Sequence, residues 1–220
     1  MSDEKEIQRV FLIGDLSGYT ALTEAHGSIS AAQIVKRYNQ IVQECLYKDA
    51  HIVETVGDEV LIVGNDGARI IQTALELRRK VEKEPDFPSV HVGIHAGSVL
   101  QQEGQYFGSA INIASRVAAH ARADQILCTD SMIEVLRKMA TVKYRALGKV
   151  FFKNVIDPIA LFEIANDRHD NTTVTDLVCR MRVKPDTAPA RIPYDGQIYF
   201  FCSFECARAF VSRPDRYVKR

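Results

Sequence analysis

The chain has 220 residues, enough for one large domain or one domain with a small companion, and 46% of them are hydrophobic, so a sizeable core can be buried. Its 28 basic and 28 acidic residues balance, which speaks against nucleic acid as a partner and against an acidic tail. The polar first ten residues are wrong for a signal peptide, no apolar run reaches the length of a membrane span, and five unevenly placed cysteines fit a reducing cytoplasm better than a secreted disulfide framework.

In chain order, Val10 to Ile13 is a short apolar run that reads as a buried strand. It leads to Asp15 and a Ser17-Gly18 turn, and Thr20 is placed to cap a helical segment through Leu22 and Ala25. Ile34, Val35, Tyr38, Ile41, Val42, Cys45 and Leu46 give Ile29 to Tyr47 a helical spacing. His51 to Val56 and Val60 to Val63 read as a hairpin turning at Gly57-Asp58. Ala68 to Val81 is an amphipathic helix, Val90 to His95 a strand, Ala110 to His120 a helix, Ile126 to Cys128 a strand and Ser131 to Met139 a helix. Val142 to Leu147, Val150 to Phe152 and Ile159 to Ile164 read as strands. The mixture predicts an α+β fold, a sheet covered by helices. Cys45 and Cys128 sit in apolar contexts as buried thiols.

Four places carry chemistry. Asp15 ends a core strand beside a glycine turn, where a carboxylate can hold a hard cation and leave room for phosphate. Asp58 sits at a hairpin tip, and two strand-end carboxylates that converge can bind two Mg²⁺ or Mn²⁺ ions for phosphoryl chemistry. Asn112 and Arg116 are four apart on a helix and share a face, and an Arg so placed suits a developing phosphoryl charge. Lys153, beside Asn154, is a point charge suited to phosphate. Taken singly, each also has a plain structural reading, as a turn former or as part of a solvated helix face.

Together, Phe11-x-x-x-Asp15-Leu-Ser-Gly-Tyr-Thr, Glu54-Thr-Val-Gly-Asp-Glu, Val92-Gly-Ile-His-Ala-Gly, Tyr106-Phe-Gly-Ser-Ala-Ile-Asn-Ile-Ala-Ser-Arg116 and Phe152-Lys-Asn resemble a class III adenylyl/guanylyl cyclase catalytic domain over about residues 8–165. The resemblance implies a mixed, mainly antiparallel sheet covered by helices. It also implies a homodimer with composite sites that turns ATP or GTP into the 3′,5′-cyclic monophosphate and pyrophosphate. Asp15 and Asp58 would hold two Mg²⁺ or Mn²⁺ ions, while Asn112 and Arg116 of the other protomer would orient the ribose and stabilise charge at the α-phosphate. Lys153 would hold the polyphosphate and Glu54 would face the base.

The departures concern substrate choice. Adenylyl cyclases typically carry Lys where Glu54 stands and Asp or Thr where Gln105 stands, and guanylyl cyclases Glu and Cys. A carboxylate at position 54 accepts from guanine N1–H and N2–H₂, whereas adenine N1 would meet it lone pair to lone pair. Unusual base-reading pairs in bacterial members keep ATP open beside GTP. His91 stands where Arg or Lys commonly meets the terminal phosphates and could do so when protonated, or could be an ordinary strand histidine. A non-catalytic nucleotide or metal sensor on a cyclase scaffold is the alternative. His95 reads as structural.

Residues 166–173 are polar and read as a linker, which divides the chain into 1–165, 166–173 and 174–220. Asp176-Leu-Val-Cys179-Arg-Met181, Tyr194-Asp-Gly-Gln-Ile-Tyr199-Phe-Phe-Cys202-Ser-Phe-Glu-Cys206, Phe210, Pro214 and Tyr217 resemble a YHS domain over about 174–219, a small Cys-containing α/β module. So short a segment has little core of its own, and a metal would help it fold. Three thiolates, Cys179, Cys202 and Cys206, suit Zn²⁺, Cu⁺ or another soft ion, with Met181 or solvent as candidates for a fourth ligand, or else they pack as small apolar residues. A metal-responsive module joined to a cyclase suggests regulation by metal or thiol oxidation.

Overall fold

The computed structural model describes residues 6–165 and 172–218. Its first part runs β1 (Glu6–Leu16), α1 (Tyr19–Cys45), β2 (His51–Val56), β3 (Glu59–Gly64), α2 (Gly67–Lys83), β4 (Val90–Gln102), β5 (Gln105–Phe107), α3 (Ser109–His120), β6 (Ile126–Thr129), α4 (Ile133–Lys138), β7 (Tyr144–Val150) and β8 (Ile159–Ile164). The strands form one sheet in the order β2-β3-β1-β4-β6-β8-β7, with β5 paired onto β4. β4 and β6 pair parallel, and the other neighbours are antiparallel. This is the mixed, mainly antiparallel sheet with helices that the resemblance implies.

β1 is central because its apolar run has no alternation, so both faces must be covered. Phe11 and Ile13 pack with Ala110, Ala114 and Ala118 of α3 on one side. Val10, Leu12 and Leu16 join Tyr38, Ile41 and Val42 of α1 and Ile70, Ile71, Ala74 and Leu77 of α2 on the other. Alternate residues of one strand thus serve two cores, as the period of two requires. α3 lies close enough to β4 that a Cβ on Gly93 would overlap the Ala118 amide nitrogen and the Ala114 carbonyl.

The sequence reading needs correcting at several ends. β1 extends well beyond Val10–Ile13, because polar residues at its start still pair with β4. Thr20 does not cap α1; Gly18 does, without a side-chain bond, and Thr20 lies inside the helix. α1 takes in both helical segments and breaks between them at Gly27, whose φ of 78° suits glycine best. β4 runs on to Gln102 and returns as β5 through Glu103-Gly104, both at positive φ, a turn that favours hairpins. The two strands expected over 142–152 are the single strand β7, with an irregularity between Ala146 and Gly148. The helix expected from Ser131 begins as a 3₁₀ turn over Asp130–Met132 before α4.

The expected linker, 166–173, lies mostly outside the described residues. Beyond it come β9 (Val174–Thr175), β10 (Arg182–Val183), β11 (Ala190–Tyr194), β12 (Gln197–Phe201) and α5 (Phe204–Ser212). β9 pairs with β10, and β11 with β12. Phe210 of α5 is the hub of this small core, with the rings of Tyr194, Tyr199, Phe201 and Tyr217 around it. The core is completed from outside by Leu22 and Ala31 of α1. α1 therefore packs on the small core near its start and on the large core farther along.

The segment after Cys179 fastens the module to the sheet. Met181 bridges to Pro88, and the Arg182 amide donates to the Phe87 carbonyl at 3.2 Å. The buried Arg182 guanidinium donates to the Val81 carbonyl and lies 3.7 Å from Asp124. The stem of Arg180 lies directly over Gly18, in the space a side chain there would fill. The loop that carries Cys179 thus touches the turn that follows Asp15.

Candidate active site

Two antiparallel neighbours bring the first cluster together. Asp15, near the end of β1, is in register with His91 at the start of β4. Asp58 lies in the tight turn between β2 and β3, next to β1. Burial and the nearby Asp15 carboxylate, which shares a hydrogen bond with it, push Asp58 up to about 7. Two carboxylates that must share a proton form an oxygen donor set short of positive charge.

His91 Nε2 lies 3.3 Å from Asp15 Oδ2, and its Nδ1 pairs with Ser17 Oγ at 3.1 Å. Both ring nitrogens are therefore engaged within the chain, against the carboxylate and the turn that follows it. Ser17 is itself fixed by its amide, which donates to the Ser89 carbonyl at 2.7 Å. His95 lies deeper, its Nδ1 paired with Thr129 Oγ1 at 2.8 Å, and burial holds its pKa down to about 4. That is a neutral structural histidine.

The remaining expected residues lie on other elements, except Glu54, which sits on β2, four residues before Asp58. Asn112 and Arg116 lie on α3, one turn apart. Lys153 is exposed in the turn after β7, where the Val155 amide donates to the Phe152 carbonyl. Glu54 is exposed on β2, and Gln105 is exposed at the start of β5. Among the described residues, none of Glu54, Gln105, Asn112, Arg116 and Lys153 has a side-chain hydrogen bond or ion pair. Large apolar side chains on the same elements are exposed as well: Val56, Phe107, Leu147, Phe151 and Ile156.

The second cluster is sulfur. Cys179 sits in the turn after β9, Cys202 just before α5 and Cys206 in the first turn of α5. Cys179 and Cys202 bring their Sγ atoms to 3.3 Å, and Cys202 and Cys206 to 3.8 Å. The fully buried Asp176 sets this arrangement: Oδ1 accepts the Val178 amide at 2.8 Å and Oδ2 the Cys202 amide at 2.9 Å. Ser203 caps α5 by accepting the Cys206 amide. Hydrogen bonds from the Cys179 and Cys202 thiols hold Cys206 down, to about 2, and hydrogen bonding with Cys202 and then with Cys206, followed by burial, pushes Cys179 up.

Met181, weighed as a fourth ligand, is buried in the small apolar core. The side chain that joins the sulfurs is His26 of α1, whose Nε2 is 3.4 Å from Cys202 Sγ and 3.5 Å from Cys206 Sγ. Sequence reasoning missed it. The available signal was faint: a histidine followed by glycine inside an otherwise helical stretch, far along the chain from the cysteines. Cys45 and Cys128, by contrast, are inert core thiols that burial raises to about 12.

The adenylate and guanylate cyclase catalytic domain family matches residues 3–164, and the YHS domain family matches residues 174–220. A pH-sensitive adenylate cyclase, MT1302, of Mycobacterium tuberculosis is 31% identical over 122 residues, covering 56% of this chain and 31% of that protein. An adenylate cyclase of Streptomyces coelicolor is 29% identical over 137 residues, covering 61% of this chain and 36% of its own length. The chain thus matches only about a third of each of these curated relatives. Among solved structures, the adenylyl cyclase CyaB from P. aeruginosa superposes with a TM-score of 0.64 at 17% identity, over 76% of this chain and 97% of that one. The guanylyl cyclase Cya2 superposes with a TM-score of 0.63 at 18% identity, over 76% and 96%. These two likenesses carry the fold. With the family match spanning the whole sheet and its helices, the chain belongs to the adenylate and guanylate cyclase catalytic domain family and carries a YHS domain behind it.

Proposed function

We propose that this chain is a purine nucleotide cyclase, converting ATP or GTP to the 3′,5′-cyclic monophosphate and pyrophosphate at composite sites of a homodimer. The observation that carries the reading is the division of labour among the side chains. Asp15 and Asp58 meet within one protomer, while among the described residues the α3 pair Asn112 and Arg116 has no side-chain hydrogen bond or ion pair. Exposed Val56, Phe107, Leu147, Phe151 and Ile156 supply apolar surface that a second copy would cover.

Asp15 and Asp58 fit hard divalent cations, Mg²⁺ or Mn²⁺, since they offer only oxygen and are crowded enough to need a positive charge between them. Such ions, when bound, lower the pKa of the ribose 3′-hydroxyl and neutralise the β- and γ-phosphates. His91 holds the Asp15 carboxylate in place and is a positioning residue in this reading. Asn112 of the other protomer orients the ribose so that its 3′-oxygen lies in line with the bond from the α-phosphorus to pyrophosphate. Arg116 stabilises the charge that builds on the α-phosphate as that bond breaks. Lys153 grips the polyphosphate, and Glu54 and Gln105 read the base.

Residues 1–165 form the catalytic unit in this reading. Residues 174–220 act on it as a metal- or redox-responsive module joined through 166–173. The packing of the module on Gly18 and Phe87 supports that role. The test is purified protein with Mn²⁺ and either ATP or GTP, followed for cyclic product. Product from one triphosphate establishes the reading and names the base. No product from either, in a dimer that still binds Mn²⁺, would leave a non-catalytic nucleotide or metal sensor.

A further inference from the structure

The three cysteines and His26 come from opposite ends of the chain. His26 lies within the cyclase match and the cysteines within the YHS match. We propose that Cys179, Cys202, Cys206 and His26 form one closed, four-coordinate Zn²⁺ site that spans the two domains and pins the C-terminal module to α1 beside the Asp15 turn.

The ligand atoms all lie within 4.8 Å of one another. A tetrahedral zinc ion with Zn–S bonds of about 2.3 Å separates its sulfurs by about 3.8 Å, and a sulfur from an imidazole nitrogen by slightly less. The Cys202–Cys206 S···S distance of 3.8 Å and the S···N distances of 3.4 and 3.5 Å match that size, and the Cys179–Cys202 distance of 3.3 Å falls about 0.5 Å inside it. Three thiolates with one imidazole, drawn into a closed set, favour Zn²⁺ of structural type over the harder Mg²⁺ and over Cu⁺, which needs fewer ligands.

The surroundings are built for such a site. Asp176 is buried and spends its carboxylate on the amides of Val178 and Cys202, fixing the loops that carry two of the sulfurs. α1 leaves helical geometry at Gly27, directly after His26, so the helix carrying the imidazole is not bound to the direction of the one that follows. Leu22 and Ala31, on either side of His26, are buried against the module's own core. An ion at this point ties that contact together where the module is too small to fold comfortably alone.

The test uses the full chain, stripped of metal under reducing conditions and then titrated with Zn²⁺ or with Co²⁺ as a spectroscopic probe. The expected result is one Zn²⁺ per chain and a Co²⁺ spectrum with thiolate charge-transfer bands and intense tetrahedral d–d bands. Zn²⁺ should also slow hydrogen exchange in both 19–31 and 174–183. His26→Ala should weaken Zn²⁺ binding at least about tenfold, as loss of even an outer partner does in other sites. It should also remove the metal's effect on exchange in 19–31. His26→Cys should restore tight binding with a stronger charge-transfer band, which guards against a variant that merely misfolds. Unchanged Zn²⁺ affinity and an unchanged Co²⁺ spectrum in His26→Ala would overturn the proposal, because the site would then belong to the module alone. Failure of the reduced protein to bind Zn²⁺ or Co²⁺ would overturn it too. Neither readout needs turnover, so an inactive cyclase leaves it standing.

Discussion

Asp58 couples the Asp15–Asp58 pair to pH. Its carboxyl is raised from 3.8 to about 7 by burial and by Asp15, so the folded, metal-free protein keeps a proton that the unfolded chain releases. The stabilising contribution is full below about pH 4 and is lost as pH rises to about 7; with the group only half buried, the loss amounts to about 1–2 kcal/mol. Thermal melts of metal-free protein should fall across that window, Mn²⁺ should restore the high-pH value, and Asp58→Asn should flatten the difference. At the base-reading positions, Glu54→Lys with Gln105→Asp should shift turnover towards ATP, measured as kcat/KM on both triphosphates; an unchanged ratio would mean that these two side chains do not read the base. Motif and spacing single out Asp15, Asp58, Asn112 and Arg116 in the sequence, and the structure brings Asp15 and Asp58 together and sets Asn112 and Arg116 one turn apart on α3. His91 could be located but not interpreted, since its contact with Asp15 depends on the register of β1 on β4.

Among the elements, α3 depends on one close approach. Gly93 leaves no room between β4 and the backbone of α3 at Ala114 and Ala118. Gly93→Ala should therefore lift the helix that carries Asn112 and Arg116, and a displacement of about 1 Å in such a group costs on the order of a hundredfold in rate. The expected outcome is a loss in kcat with Mn²⁺ affinity at Asp15 and Asp58 retained, read by separate titration. Most elements were legible because periodicity reports burial: β1 as an unbroken apolar run, α2 as an amphipathic stripe. β5 was not, because Gln101, Gln102 and Gln105 give no apolar pattern and only the Glu103-Gly104 turn betrays the hairpin. The break in α1 at Gly27 falls between the two helical segments read from the sequence, through Leu22 and Ala25 and over Ile29 to Tyr47, but their pattern does not say that the two run on as one element.

For the whole molecule, the composite-site reading makes a quantitative demand. Asp58→Asn and Arg116→Ala should each be inactive alone. Mixed and allowed to exchange, they should recover about a quarter of wild-type activity, since half the dimers are mixed and each holds one intact site of two. Complementation that fails between folded, dimerising variants would count against shared sites. A second demand concerns the boundary near residue 166. Because Leu22 and Ala31 belong to the small core, a fragment ending at 165 should expose apolar surface, bind a hydrophobic dye and melt below the full chain, which should unfold in one transition. The sequence reading divides the chain into two units in succession, and nothing in local pattern says that α1 is shared between them.

The short distance between Cys179 and Cys202 has a consequence for what the cell could tell this protein. With Sγ atoms 3.3 Å apart, hydrogen peroxide can take two electrons from the pair, the two thiols becoming one disulfide as their protons and the peroxide oxygens leave as two waters, and a zinc ion held there would lose two of its ligands at once. Zinc starvation would empty the proposed site by another route. With His26 as a ligand of the proposed site, either event would unfasten it from the module, so scarcity of metal and excess of oxidant would reach the turn after Asp15 as one message, and the protein would answer both without distinguishing them.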